Sequence, residues 1–495
     1  MDGTGMRLLL QGRRSLTIGQ NNLVFYDPTQ KNAARNACCM PGSVERTEQA
    51  IPLYNVLWAE ISNDTITVDY VLIPPKGPVR LQKLSHALAP PDTNPNEPDA
   101  EKFVATVLER AYGEVRHHRR AYVLVNPNSG PGGAVKKWET EAKPLLQAAH
   151  FDLDVVTLTR GGEATDLVEK MDIDRYDTVM ACSGDGTPHE IINGLAKRPD
   201  AGVALSKVAV SHIPCGSGNA MALNLYGSNR VGVVALAIIK GVTSPMDLVS
   251  VTQGPRRTLS FLSQSLGMVA ETDLGTEHMR WMGSTRFEVG VLQRIFQKTS
   301  YPCDLAVKVE VEGKDAIKSY YKRKMKDISD TSSELTRTTE VGDIGLPELK
   351  YGTVEDKLPE DWELVSHDNI SNVYCGNMQF MSPGANFFPA ALPADGCMDL
   401  ITIPSDISWY TGIQTFLSIE SGGFFDSPHV NYRKISAFRV TPRDQEDGYI
   451  SIDGEKVPFE PFQAEIHQGL GRVIAKRPGG YEAPGPRGWE NVDDK

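Results

Sequence analysis

The 495-residue sequence is short of several things at once. It has no apolar run near the ~20 residues needed to span a bilayer. The longest extends only from Val231 to Ile239. Its N-terminus, MDGTGMRLLLQGRRS, lacks the apolar core of a secretory signal. Cysteine is sparse and odd in number: Cys38, Cys39, Cys182, Cys215, Cys303, Cys375 and Cys397, with no recurring C-x2-C pair. This argues against a disulfide scaffold or a zinc ribbon and for a reducing compartment. Positive charge is lacking too, since 63 acidic residues face 51 basic ones for a net charge of −12. That argues against a nucleic-acid binder and against delocalised attraction to anionic lipid, though not against a local basic patch. No glycine loop fits G-x-x-x-x-G-K-[ST] or G-x-G-x-x-G, which disfavours a P-loop or an ordinary dinucleotide site. The expectation is a cytoplasmic protein whose membrane contact, if any, is peripheral.

What is present supports packed cores: 40% of residues are hydrophobic and 23% charged. At ~150 residues per domain the length suggests about three domains. Residues 1–118 read as a β-rich unit. Leu16–Ile18, Leu23–Phe25, Val56–Trp58 and Ile66–Val68 are short strand-like runs. Lys102–Tyr112 then carries apolar residues at helical spacing. Strands closed by one helix have the element order of a small pleckstrin-homology-type barrel. From Ala121 strands alternate with helices: Tyr122–Val125, Leu153–Leu158, Thr178–Cys182 and Val208–Ile213 are the strands, and a helix runs from Ala134 to about Ala149. Such alternation predicts an α/β fold with a mostly parallel sheet over residues 119–247. Residues 248–477 read as β-rich, with a charged, Ser/Thr-rich insertion at about 312–360 expected to be mobile. The Pro/Gly-rich tail, 478–495, is expected to fray.

Three glycine loops follow successive strands: Asn126-Pro127-Asn128-Ser129-Gly130-Pro131-Gly132-Gly133, Ser183-Gly184-Asp185-Gly186, and Pro214-Cys215-Gly216-Ser217-Gly218-Asn219. Loops without Cβ bulk let backbone N–H groups approach anionic oxygens, and three at one sheet edge point to a phosphate site. Asp185 is the single carboxylate of the middle loop. It suits a base that accepts a hydroxyl proton, or it simply bonds its own turn. Thr187-Pro188-His189-Glu190 reads locally as a helix start, with Thr187 the cap and Glu190 closing a capping box. Asp453-Gly454-Glu455 offers two carboxylates to Mg2+, and it is equally an ordinary hairpin turn.

Taken together these stretches resemble the sphingosine (sphingoid long-chain-base) kinases of the diacylglycerol-kinase-type superfamily, fungal forms in particular. The run Ser183-Gly184-Asp185-Gly186-Thr187-Pro188-His189-Glu190-Ile191-Ile192-Asn193-Gly194-Leu195 carries the signature. The likeness covers roughly residues 120–475. It implies an α/β nucleotide domain, a β-sandwich that encloses a lipid tail, and ATP with Mg2+ as phosphate donor. It implies Asp185 as the base. Asn126, Asn128, Thr159, Glu190, Gly216, Ser217 and Gly218 would hold the nucleotide, with Asp453, Gly454 and Glu455 completing that site and the two carboxylates taking the metal. Arg280 and Arg286 would contact phosphate. Ser183, Gly184, Gly186 and Asp273 would border the lipid, with Asp273 recognising the sphingoid amino group. A carboxylate paired with a cationic amine selects an amino-alcohol over a neutral diacylglycerol. A diacylglycerol or ceramide kinase and a catalytically dead lipid-binding adaptor are the alternatives.

Two further features bear on membranes. Adjacent Cys38 and Cys39 are candidates for S-palmitoylation or are plain thiols. Lys322-Arg323-Lys324-Met325-Lys326, preceded by Tyr320-Tyr321, reads as a lipid-facing basic patch or a solvated charge run.

Overall fold

A computed structural model describes residues 6–29, 48–90, 99–275, 285–335 and 344–492. Contacts divide the chain into two units. One comprises Met1–Arg119 with Glu139–Asp152, the other Arg120–Trp138 with Leu153–Lys495.

The first unit is built from antiparallel strands. β1 (Arg7–Leu10), β2 (Arg14–Ile18), β3 (Asn22–Tyr26) and β4 (Glu48–Pro52) form one meander; β5 (Val56–Ser62), β6 (Thr65–Leu72) and β7 (Arg80–Ala87) form another. Alternation decides which face is buried: Leu16 and Ile18, Leu23 and Phe25, and Ile66, Val68 and Tyr70 all turn inward. Helix α1 (Ala100–Tyr112) starts where the Asp99 side chain accepts a hydrogen bond from Glu101 N. It buries Phe103, Val107 and Ala111, spaced by four, and the Tyr112 hydroxyl donates to the Leu57 carbonyl.

The second unit begins with β8 (Arg120–Val125) and α2 (Ala134–Lys137). The chain re-enters the first unit through α3 (Lys143–Ala148) and returns along β9 (Asp152–Thr157). Next come α4 (Glu163–Lys170), β10 (Thr178–Ser183), α5 (Gly186–Ala196), α6 (Ala201–Lys207), β11 (Ala209–Pro214), α7 (Ala220–Tyr226) and α8 (Val231–Ile239). β10 pairs in parallel with β8 on one side and β11 on the other, and every residue of β10 and β11 is buried. Burial on both faces explains why these strands read as continuous apolar runs rather than alternating ones. Among the described residues no single helix is long and apolar enough to cross a membrane; α7 and α8 together approach that length but meet at a 54° bend and are largely buried.

The rest of the unit is mostly strand: β12 (Val242–Gln253), β13 (Arg256–Ser260), β14 (Ser263–Gly267), then α9 (Met268–Gly275), α10 (Thr285–Gln297), β15 (Cys303–Glu312) and α11 (Lys314–Leu335). β16 (Glu363–His367), β17 (Ile370–Gly376), a small hairpin of β18 (Phe380–Ser382) and β19 (Ala385–Asn386), and β20 (Met398–Pro404) follow. The chain ends through α12 (Trp409–Leu417), β21 (Asn431–Pro442), β22 (Ile450–Ile452), β23 (Glu455–Val457) and β24 (Phe462–Ala475). Near residue 247 the pairing changes from parallel to antiparallel, yet the sheet does not stop. β24 pairs with β11 at Val473, with β12 along most of its length and with β21 from Phe462 to Glu465, so fifteen of the described strands share one hydrogen-bonded sheet. Residues from β12, β14, β15, β17, β20, β21, β22 and β24 bury one common core that includes Leu266, Leu305, Leu400, Phe438 and Phe462.

Two expectations need correction. The segment expected to be mobile carries the 22-residue α11. Its charge is one-sided: Ile317 and Tyr321, four apart, are buried. Beyond it, Lys350 N and Tyr351 N donate to the Glu465 carboxylate. The tail is anchored rather than frayed. Tyr481 is buried with its hydroxyl donating to the Asn377 carbonyl at 2.7 Å, and Glu482 N donates to the Asn224 carbonyl. The basic patch of α11 is partly spent inward as well. Arg323, Lys324 and Lys434 all approach the Tyr320 ring, and Lys322 Nζ donates to the Val492 carbonyl.

Candidate active site

The three glycine loops meet at the carboxyl edge of β8, β10 and β11. A Cβ on Gly216 would lie 2.4 Å from Gly184 Cα, and one on Gly130 would lie 2.8 Å from the Cys215 carbonyl oxygen. Backbone therefore packs on backbone, and only glycine fits. Asn219 locks the third loop: its Oδ1 accepts from Gly216 N at 2.7 Å and its Nδ2 donates to Gly216 O at 2.9 Å. In the first loop Asn126 Oδ1 accepts from Asn128 N, and Ser129 Oγ accepts from Gly184 N. Of the two asparagines expected at the nucleotide, Asn126 thus shapes the loop with its side chain and Asn128 takes part through its backbone N–H. Ser183 is buried and its hydroxyl donates to the Gly184 carbonyl, so it is not presented outward.

Asp185 stands at the start of α5. It does not bond its own turn. Its Oδ2 accepts from Ala220 N and its Oδ1 from Met221 N, the first amides of α7, at 3.0 and 3.1 Å. The carboxylate is held across two loops with its charge matched to backbone donors. Gly218 leaves it room, since a Cβ there would come within 3.2 Å of Oδ2.

Glu190 departs from the capping box. It reaches another helix, accepting from Gly162 N and Ala164 N at the start of α4. Thr159, expected beside the nucleotide, donates from its amide and hydroxyl to Glu163 of that helix, which holds the Glu163 carboxyl below the usual range.

The turn between β22 and β23 closes the site from the far end of the chain. Asp453 and Gly454 both have positive φ, 53° and 84°, as a two-residue hairpin turn requires. The Asp453 side chain folds back and is buried. Its Oδ1 accepts from Ser260 Oγ, Leu262 N and Ser263 N, and its Oδ2 faces Phe261 N and His189 Nδ1 at 2.8 Å. Five partners leave no lone pair for a cation, so the expectation that Asp453 ligates Mg2+ does not fit its hydrogen bonding. Among the described residues no cluster of three or more metal-ligating side chains occurs. Glu455 does approach the Asp185 loop; a Cβ on Gly186 would lie 3.2 Å from its Oε1.

His189, without a role in the sequence reading, is the link between the two ends. Burial alone pushes its imidazole down, but the Asp453 carboxylate more than offsets this and holds its pKa above the ordinary 6.5. Asn193, one turn on, bonds the backbone N–H and C=O of Leu259. α5 is thereby tied to the end of β13. Presence in the signature run was the only sequence signal for either residue.

Asp273 lies on α9 beside this turn, with Oδ2 3.6 Å from where a Gly454 Cβ would stand. Arg280 and the side chain of Arg286 lie outside the described residues, as do Cys38 and Cys39. From α9 an apolar pocket extends between α10, α12 and β17, lined by Met268, Val269, Ile295, Phe387, Phe416 and Phe424 among others. At its rim Phe296 and Trp409 stack with ring centres 5.6 Å apart, and they are 60% and 50% exposed.

The fold and loop set define a class. Residues 120–251 match the family model for the diacylglycerol kinase catalytic domain, and residues 6–113 match a domain of unknown function. A Bacillus anthracis structure assigned as a diacylglycerol kinase covers 73% of this chain and 97% of its own at a TM-score of 0.50 and 18% identity, which shows the fold. Within that class the chain is similar to sphingoid long chain base kinase 4 of Schizosaccharomyces pombe, at 31% identity over 88% of this chain and 90% of the relative. It is 34% identical to sphingoid long chain base kinase 5 of Saccharomyces cerevisiae over 78% of this chain, spanning 63% of that relative's length. Human sphingosine kinase 1 is 28% identical over 70% of this chain and 88% of its own. The chain belongs to the sphingoid long-chain-base kinase family.

Proposed function

We propose that the protein transfers the γ-phosphoryl group of ATP to the primary hydroxyl of a sphingoid base, yielding the 1-phosphate. The observation that carries this reading is the placement of Asp185. One carboxylate stands where the glycine loops meet; Glu455 approaches the adjoining Gly186, Asp273 lies beside Gly454 of the same turn, and an apolar pocket opens from α9, the helix that carries Asp273. The substrate oxygen forms a bond to the γ-phosphorus, the bond to the β,γ-bridging oxygen breaks, ADP leaves, and Asp185 takes the hydroxyl proton. The Gly130–Gly133 and Gly216–Gly218 loops, with the N-terminus of α5, suit the triphosphate. Asn126, Asn128, Thr159 and Glu190 support this site by shaping its loops and the start of α4. Arg280 and Arg286 act on phosphate, and Mg2+ accompanies the nucleotide without Asp453 as a ligand. Asp273 pairs with the substrate ammonium, which favours a sphingoid base over diacylglycerol.

The test is transfer from labelled ATP with Mg2+ to a sphingoid base, diacylglycerol and ceramide in mixed micelles. Transfer to the sphingoid base alone is expected, with Asp185→Asn lowering kcat by about 10²–10⁴-fold. Preference for diacylglycerol overturns the role given to Asp273. Lipid binding without transfer means an adaptor.

The common core of the strands beyond β12 supports reading that region as the β-sandwich enclosing the lipid tail. The four-plus-three strands and closing α1 support a pleckstrin-homology-like first unit. The reading includes a cytoplasmic protein in peripheral contact with a membrane, through the rim of the cavity. Phe296, Trp409, Tyr410 and Leu417 are all at least half exposed there, on α10 and α12, and aromatic rings favour the bilayer interface. Each ring contributes about 1–2 kcal/mol on burial, so Phe296→Ala with Trp409→Ala lowers partition onto phosphatidylcholine vesicles by about tenfold or more. Unchanged sedimentation with vesicles overturns this. Acylation of Cys38 and Cys39 adds a second anchor, and intact-mass analysis of protein from its native host detects or excludes it.

A further inference from the structure

Behind Asp185 lies a titratable group that the reaction above does not use. His212, on β11, has no solvent exposure. Its Nε2 is 2.9 Å from the Ser183 carbonyl oxygen. A carbonyl only accepts, so Nε2 carries the hydrogen and donates. The other ring nitrogen, Nδ1, faces Asp185 Oδ1 at 3.8 Å and has no hydrogen-bond partner. Burial pushes the imidazole toward its neutral form, with the Asp185 charge acting the other way.

The elements packed against β11 place no other charge on this ring. α7 and α8 carry no acidic or basic residue. On α5, His189 is turned to Asp453 and Glu190 to α4. On β10 the Cys182 thiol is held well above its usual range by its contact with Cys215 and by burial. β24 carries Glu465, His467 and Arg472, none of which acts on His212.

A neutral His212 therefore points a lone pair at a carboxylate oxygen. Two acceptors face each other across a gap about 1 Å too long for a hydrogen bond. The missing piece is one proton. While Asp185 is ionised, the Ala220 and Met221 amides satisfy it and Nδ1 is left unpaired. Once Asp185 is protonated, Oδ1–H can turn to Nδ1 and satisfy the buried nitrogen.

Resting on the assignment of Asp185 as the base, we propose that His212 is its positioning partner: the proton leaving the substrate hydroxyl passes to Asp185 and is held in the gap between Asp185 Oδ1 and His212 Nδ1. The substrate O–H bond breaks, its electron pair stays on the oxygen that attacks phosphorus, and the proton remains on Asp185, hydrogen-bonded to Nδ1, until product leaves.

The sign of the effect follows. Removing Nδ1 takes away the acceptor that holds the transferred proton, so the acid limb of the kcat–pH profile moves to lower pH while the plateau falls. His212→Gln keeps a side-chain donor for the Ser183 carbonyl and lacks Nδ1. Expected are a fall in kcat of about 10–100-fold, an acid limb lower by about one pH unit, and a KM for ATP within about twofold of the parent. A kcat and profile equal to the parent's overturn the role of His212. If His212→Gln does not fold, 15N spectra of histidine-labelled parent decide: Nε2–H with unprotonated Nδ1 supports the proposal, and Nδ1–H overturns it. Asp185→Asn, run in parallel, separates the two levels. Loss of transfer in Asp185→Asn with a normal His212→Gln refutes only the His212 inference, whereas retained transfer in Asp185→Asn refutes the base itself.

Discussion

Asp453 shows what a single carboxylate does when its surroundings change. In the sequence it is half of an exposed-looking D-G turn. In the fold it gathers the Ser260 hydroxyl, the Phe261–Ser263 backbone and His189, and so joins the C-terminal hairpin to the helix that begins at Asp185. The pair has a pH signature. The folded pKa of His189 lies above its ordinary 6.5, so its contribution to stability is fully present below that value and is lost as pH rises through the folded value. His189→Gln is expected to cost about 1.5–3 kcal/mol at pH 6 and less at pH 9. Urea unfolding of both proteins across that range measures it, and a difference that grows with pH refutes the pairing.

Among the elements, β21 carries a costly polar arrangement. Lys434 is fully buried, with Asp395 Oδ2 at 2.9 Å and Asp399 Oδ2 at 3.1 Å. Burial opposes its charge, but the two carboxylates more than offset this and hold it protonated. Burial in turn pushes Asp399 up to about 6, and Tyr432 donates to it at 2.6 Å. The group joins β21, β20 and the loop before β20, beneath Tyr320 of α11. Lys434→Met strands two buried carboxyl groups and is expected to destabilise the protein by about 3–5 kcal/mol in chemical denaturation. Adding Asp395→Asn and Asp399→Asn restores most of it. A Lys434→Met variant as stable as the parent contradicts a charged Lys434. The same cluster explains why α11 is ordered despite its composition: its inward residues meet a partner that local charge counting does not see.

For the molecule as a whole, the division into units does not follow the chain. Residues 139–152 belong with the first unit although they sit between β8 and β9. Inside that unit the His150 ring lies 4.4 Å from Trp58, and Asp152 N donates to the Arg119 carbonyl. A truncation that starts at residue 120, natural from the sequence, therefore leaves α3 and the residues after it without their unit. Such a protein is expected to melt several degrees below the full chain, measured by circular dichroism, and to aggregate on heating. An equal melting temperature means that residues 139–152 need nothing from residues 1–119.

Local chemistry in the sequence settles the alternation of strands and loops along the chain from β8 to β11, the glycine positions and the candidacy of Asp185. These depend on burial on both faces and on the absence of Cβ, both properties of a residue and its near neighbours. The Asp453-Gly454 hairpin is legible for the same reason, because D-G alone supplies the two positive φ values. Tertiary structure decides where side chains spend their hydrogen bonds. Glu190 caps α4 rather than its own helix, Asp453 serves His189 and a distant turn rather than a metal, Lys434 finds two carboxylates, and His212 stands behind Asp185. Each of these pairings joins residues 26 or more positions apart, in places where burial makes an unpaired polar group expensive. Local pattern carries no record of which distant group removes that cost; only packing brings the partners together.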